Sequence, residues 1–387
     1  MLRSMFSGIS GLRAHQQMMD VTGNNIANVN TTGFKSSTVT FQDTLSQMVR
    51  AAGSPQGEVG GTNPAQIGLG VRLGTVGTNF GQGAAQNTGK STDLLIQGDG
   101  FFMVRSGGEQ LFTRSGAFDW DNNGNLVNAN GNMVQGWLAD ADGNLNTAAV
   151  PGKITLPLGQ TIAPQVTTNM KMIGNLQVDA PTGTVKEVQT TAFDATGREN
   201  PVTLTFTKQA DGTWNVGDGT NTGNLAFGVD GRPTAGTLTL GGVTVDVAAM
   251  THYSGVSAPS VNTRDGSAAG TLNAYSFTET GEIVGVFSNG LTQVMGQVAM
   301  ANFNNVSGLE KVGNSMYRMT VNSGLPQVGP AGTNGLGYMS GGQLEMSNVD
   351  LAQEFTNLVI AQRGFQANSR VITSSDEILQ DLVNIKR

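Results

Sequence analysis

The sequence predicts a mainly β protein, in which nested β-domains are flanked by N- and C-terminal α-helices that pair in a coiled-coil-like inner core. Three observations carry that prediction. Apolar residues recur with a period of about 3.5 at both ends of the chain, the mark of helices that bury a narrow seam against other helices. Between the ends, windows alternate apolar and polar residues and are punctuated by Gly, Asn and Asp. Composition agrees: 55 Gly and 11 Pro in 387 residues, with 13% charged and 6% aromatic, suit many short strands joined by tight turns. Apolar residues still make up 38%, enough with clean alternation to argue against disorder.

The first helix occupies residues 1–30. Leu2, Met5, Ile9, Leu12, Met19 and Ile26 alternate steps of three and four, with Gln16 and Gly23 interrupting. At ~1.5 Å per residue its length is roughly 40 Å. The Gly23–Asn30 run weakens it and Thr31-Thr32-Gly33 ends it. Residues 31–75 form a linker or brace. Phe34, Phe41, Leu45 and Met48 suggest a partly helical start, and Gly-rich sequence from Gly53 to Gly74 an extended continuation.

Strand signals sharpen over 76–150, the first part of a β-domain. Leu94 to Gln97, Gly98-Asp99-Gly100 and Phe101 to Val104 read as strand, turn and strand, and Asp121–Asn125 and Asp140–Asn144 as hairpin turns. Residues 151–270 open on Pro151, Pro157 and Pro164 and show fresh alternation at Val202–Thr207, Leu238–Leu240 and Val243–Val247, an inserted outer β-domain. Residues 271–342 resume the first domain, as in Ile283–Phe287 and Gln297–Ala301. The topology is therefore helix, β-domain, inserted β-domain, β-domain, helix, an easy nesting where domain termini lie close together.

The last element, 343–387, is a helix opening at Ser347, with Asp350 at the capping-box spacing. Leu351, Leu358, Phe365, Ile372 and Leu379 recur every seven residues. A second stripe of Val371, Ile378 and Ile385, with Leu382 beside it, gives the lower half two apolar faces. One antiparallel partner covers less than that, so the residues assigned to an assembly interface are these stripes together with Phe355 and the stripe of the first helix.

Several functions are disfavoured by inventory. A net charge of −7 with no Lys/Arg cluster argues against nucleic-acid binding. No apolar run is long enough for a membrane span, so no membrane insertion is expected. The spaced apolar residues of the N-terminus are unlike a cleavable signal, so export is expected to leave that end intact. With no Cys and two His, thiolate chemistry is excluded and a zinc or histidine centre disfavoured. Asp119–Gly124 copies the opening of a calcium loop, but Asn130 stands where a bidentate Glu is needed, which favours a plain turn. Gly68, Gly70 and Gly74 miss the dinucleotide fingerprint by one residue. Glu279 with Glu282 and Asp376 with Glu377 are the nearest acid pairs; a turn and a solvated helix account for them, as helix packing does for His15. No catalytic, cofactor or metal site is assigned. A secreted β-rich polysaccharide-processing enzyme would lack its acid–base pair, and a monomeric adhesin would need neither heptad end.

The stretches Ser7–Leu12 and Asn24-Asn25-Ile26-Ala27-Asn28-Val29-Asn30-Thr31-Thr32-Gly33-Phe34-Lys35 resemble the N-terminal signature of the bacterial flagellar rod and hook axial protein family. Ser347–Leu351 with Gln362–Asn368 is similar to that family's C-terminal end, and Gln97–Phe102 to its shared β-domain. The insertion at 151–270 and the closing residues 382–387 favour the hook branch over a distal rod subunit. The resemblance implies a non-enzymatic subunit of a tubular polymer outside the cell, a flexible joint that transmits torque from rod to filament. It also implies export by the flagellar type III apparatus, and contacts with copies of itself and with distal rod, hook cap and hook–filament junction proteins.

A free helix cannot offset a backbone cost of about 1–2 kcal/mol per residue by exposing its seam to water. The ends are therefore expected to be poorly ordered alone and covered only by neighbouring copies, with digestion of dilute monomer leaving a core near 35–340.

Overall fold

The computed structural model describes residues 2–55, 57, 60–140, 143–156 and 161–385; the side chains of Leu2, Leu382, Val383 and Ile385 also lie outside the description, as does Pro157 of the proline crossing. Two long helices bracket the chain, α1 over Leu2–Ala27 and α2 over Leu351–Ile385, and most of what lies between is strand. The chain divides into two units, one of residues 1–156, 276–284 and 294–387, the other of residues 157–275 and 285–293.

In the first unit, α1 and α2 run antiparallel. A Cβ at Gly8 would meet Ile372, one at Gly11 would meet Asn368, and one at Gly364 would meet the His15 ring. At the far end Asn25 reaches Glu354. Both helices are thus formed and pair with each other within one chain, as the predicted inner core requires.

The β part of this unit is organised by strand Phe101–Ser106, which pairs with Glu109–Thr113, Met133–Leu138 and Met300–Asn302. Leu94 to Ile96 and Phe101 to Val104 are buried throughout, without the alternation of a half-solvated strand. Gly98 and Gly100, at φ 101° and 124°, let the chain reverse between them where a side chain would be strained. Phe101, Phe112, Trp137, Phe303 and Tyr317 make the core, with Phe112 and Phe303 edge to face at 4.8 Å.

Residues 31–75 contain no helix among those described. Ser37–Asp43 pairs with Val71–Thr78 and Ser46–Arg50 with Ala65–Gly68, forming a two-part antiparallel ribbon. The spacing of Phe34, Phe41, Leu45 and Met48 mimics a helix. The β-branched run Thr38-Val39-Thr40 overrides it, because such side chains suit a pleated ribbon better than a helical turn. The start of α2 also differs from expectation. Asp350 is its cap, with Oδ1 accepting the N–H groups of Ala352 at 2.9 Å and Gln353 at 3.2 Å, while Ser347 lies outside the helix.

The second unit carries two four-stranded sheets. One is antiparallel, in the order Val185–Phe193, Glu199–Lys208, Trp214–Gly217, Thr222–Leu225. The other runs Thr237–Leu240, Val243–Thr251, Asn169–Asn175, Ser260–Arg264, its two central strands parallel. Met172, Leu204, Phe206, Trp214, Val216 and Val247 are among the side chains of the core they share.

The hairpin turns repeat one device. At Asp121 the carboxylate accepts the N–H of Asn123 and of Asn125, each at 2.8 Å, and the Asn125 amide at 2.7 Å; Asp140 accepts the Asn144 N–H in the same way. The calcium-like stretch is therefore a turn whose acid is occupied by its own backbone. Among the described residues no cluster of acidic or histidine side chains could hold a metal.

Candidate assembly interface

The surface of the helix pair follows from which side chains are used up inside it. On α1 the buried positions are Gly8, Gly11, Ala14, Thr22 and Asn25; on α2 they are Glu354, Ala361 and Ser375. With Asn368, the α2 set recurs every seven residues. This is a heptad seam made of small and polar residues. Gly11 and Gly364 leave room for the Asn368 side chain and the His15 ring, which an added Cβ would meet at 2.7 and 2.5 Å.

The apolar stripes read from sequence run beside that seam rather than along it. Met5, Ile9, Leu12, Met19 and Ile26 on α1 are half-buried, as are Leu358, Ile372 and Leu379 on α2. Leu351, Phe355, Phe365, Val371 and Ile378 are exposed, Phe355 by 53%. A residue three positions along a helix is turned by about 60°, which is how Leu351 stays outside while Glu354 is buried. Phe6, Val359 and Ile360 add to this outer apolar surface at 64%, 52% and 54% exposure. The structure thus brings the two stripes alongside one another but buries neither. Of the predicted set, the side chains of Leu2, Leu382 and Ile385 lie outside the described residues.

At the root of the helix pair sits a polar clasp that an apolar-period search misses. Lys35 and Glu345, both without exposed side chain, meet at 2.5 Å. Lys35 Nζ also donates to Gly81 O at 2.8 Å, and Glu345 Oε1 accepts the Gly83 N–H at 2.9 Å. Arg114 lies 3.5 Å from the second carboxylate oxygen and covers the Phe101 ring. Burial pushes the Lys35 ammonium below its ordinary pKa, against the pull of Glu345; burial does the same to Arg114.

A second set binds the helices to this root. Asn25 Nδ2 donates to Glu354 Oε1 at 2.9 Å and to Ser37 O at 2.8 Å, and its Oδ1 accepts the Ser37 N–H at 3.0 Å. Asn348 Oδ1 accepts the Ser36 N–H, and its amide donates to Asn79 O. Gly33, at φ 66°, donates its N–H to Glu345 O at 2.7 Å and packs its Cα against the backbone of Ser115. The motif positions Asn25, Gly33, Lys35 and Asn348 are therefore joints: they hold the helix pair, the ribbon and the β-core of this unit in one arrangement.

Comparison with known proteins finds the same stretches. Residues 5–35 match the family described as flagella basal body rod protein, residues 95–187 the flagellar hook protein FlgE/F/G D1 domain, and residues 340–385 the flagellar basal body rod FlgEFG protein C-terminal region. Over the full length of both chains, the protein is 38% identical to the flagellar hook protein FlgE of Treponema pallidum and 36% identical to that of Borreliella burgdorferi. The flagellar basal-body rod protein FlgG of Bacillus subtilis is 33% identical, again over both full lengths. A crystal structure of the Helicobacter pylori flagellar hook protein FlgE2 matches with a TM-score of 0.52, covering 68% of this chain and 100% of that one; at 14% identity it speaks for the fold alone.

Proposed function

The chain belongs to the flagellar hook protein family, and from that premise we propose that it polymerises through the outer faces of α1 and α2 into a flexible tube that carries torque from rod to filament. One observation carries this reading. The helix pair is closed by small and polar residues, and its large apolar side chains, among them Phe6, Phe355, Ile360 and Phe365, are left facing outward. Apolar surface of that extent is a liability on a solitary molecule and an interface in an assembly. Burying each such side chain contributes roughly 1.5–3 kcal/mol, so contacts repeated along a tube are strong without any covalent link.

Within the polymer, the ribbon of residues 31–75 braces inner and outer layers, and the inserted domain at 151–270 makes polar contacts that slide as the tube bends. Its neighbours are copies of itself, distal rod proteins at one end, and hook cap and hook–filament junction proteins at the other. It reaches the cell exterior through the flagellar type III export apparatus, and neither catalysis nor a cofactor has a part in this role. Electron microscopy of the concentrated protein tests the proposal: curved tubes are expected, and protein that stays monomeric at high concentration overturns it. The second reading, a distal rod subunit, is favoured by the full-length similarity to the Bacillus subtilis rod protein; short straight tubes would select it.

A further inference from the structure

The second unit holds one histidine, and its imidazole is the meeting point of three strands' ends. His252 stands just past strand Val243–Thr251, with its ring stacked on Phe227 at 4.6 Å and 21°. Lys208 Nζ lies 3.2 Å from Nε2, and Trp214 Nε1 points at the same nitrogen from 3.4 Å. Lys208 ends strand Glu199–Lys208 and Trp214 opens strand Trp214–Gly217, so one ring nitrogen ties their connecting turn to the end of the other sheet.

Both approaching groups are donors only: an ammonium and an indole N–H have no lone pair to offer in return. Nε2 must therefore be the acceptor, and the neutral ring carries its proton on Nδ1. Protonation removes that acceptor and sets an imidazolium beside an ammonium that is itself only 6% exposed. We propose that His252 is an acid-sensitive latch of this unit: neutral, it locks the 208–214 turn over the Trp214 core, and protonated, it releases it.

The charges acting on the ring are Lys208, which opposes its protonation, and Asp179, which favours it; Trp214 and Phe227 are neutral. On the turn whose Gly231 O accepts the His252 N–H, the Asp230 carboxylate is occupied by the Arg232 N–H, and on the 208–214 turn Asp211 is occupied by Thr213. Burial first, and Lys208 second, hold the imidazole below its ordinary pKa, with Asp179 pulling the other way. The sign follows: the unfolded chain binds the proton more tightly, so the contribution is complete above about pH 6.5 and eroded below it. Each unit by which the folded pKa is depressed removes up to about tenfold from the folding equilibrium.

The test uses the full-length protein and two readouts. Nitrogen NMR of the wild-type imidazole at neutral pH is expected to show the proton on Nδ1; a proton on Nε2 overturns the latch. Hydrogen exchange of peptides covering 199–217 and 243–252 is expected to lose protection several-fold on acidification from pH 7.5 to 5 in the wild type. His252→Gln keeps an acceptor oxygen and removes the titration, so its protection should be level across that range. Equal pH dependence in the two proteins overturns the proposal, and should the variant fail to fold, the NMR measurement still decides.

Discussion

Lys35 and Glu345 are separated by 310 residues in the chain and by 2.5 Å in the structure, with no solvent at either side chain. A pair so placed is held by its neighbours as much as by its own attraction. Removing one partner of a buried pair costs about 3–5 kcal/mol when the other charge is left alone. Lys35→Met leaves Glu345 with Arg114 and the Gly83 N–H, so it should destabilise the first unit by less than that in chemical denaturation. The double variant Lys35→Met/Glu345→Leu should recover little, because Arg114 then loses its carboxylate. Full recovery would mean that Arg114 does not depend on Glu345.

The helix seam predicts opposite signs for two alanine substitutions. At Gly364 a Cβ would stand 2.5 Å from the His15 ring, so Gly364→Ala should displace that ring from its packing at a cost of about 1 kcal/mol or more. At Gly23 nothing lies within 4 Å of the added carbon, and replacing a mid-helix glycine should stabilise by about 0.5–1 kcal/mol. Thermal melts of the two variants check both signs. If Gly23→Ala also destabilises, that face of α1 is in contact with something.

The existence of both helices is legible in the sequence because apolar residues at heptad spacing are rare by chance. The face by which they pair is not. Gly8, Gly11, Ala361 and Ser375 carry no hydropathy signal, and a search for apolar period selects the stripe of Leu358 and Phe365 instead. The clasp is hidden for a related reason: nothing local in Lys35 or Glu345 distinguishes a buried charge from a solvated one until the fold brings them together. The motif positions marked the right place, yet their work as joints rests on hydrogen bonds that only the structure displays. The ribbon at 37–78 was obscured by an accidental helical spacing, and its β-branched residues were the better guide.

Outside the seam, charge on the exposed stripe should separate assembly from folding. Phe355→Asp and Phe365→Asp replace side chains that are 53% and 37% exposed in one molecule. On the melting of dilute protein, the effect of Phe355→Asp should be small, and that of Phe365→Asp, most of whose side chain is covered within one molecule, about 1–2 kcal/mol. Polymer formation, followed by light scattering and microscopy, should be abolished or need much higher concentration. Tubes of normal yield from both variants would move the interface elsewhere.

Acid should act on the second unit through Asp265 as well. Burial opposes its ionisation, but hydrogen bonds from Thr168 and Asn169 outweigh that and hold the pKa at about 2. A depressed carboxylate stabilises above its unfolded value and loses that contribution as pH falls. The loss should run from about pH 4 down to pH 2. Asp265→Asn should lower stability at neutral pH and remove this acid limb, as unfolding measured across pH would show. An unchanged limb would assign it to other carboxylates.

Limited proteolysis tests how firmly the ends are held before assembly. A seam of Gly, Ala, Ser and Asn buries little apolar area, while fixing each backbone residue costs about 1–2 kcal/mol. Far from the clasp the two helices should therefore open readily in dilute monomer. Near it, Asn25 is bonded to Glu354 and Lys35 to Glu345, all four buried, so the root should stay closed. Trypsin is expected to cut at exposed Arg3, Arg13, Arg363 and Arg370 and to spare Lys35, leaving a larger core than a boundary at 35–340 would. In the polymer the same arginines should become resistant if, as proposed, neighbouring copies cover the outer stripe. Arginines cut at equal rates in monomer and polymer would show that assembly leaves these helices exposed.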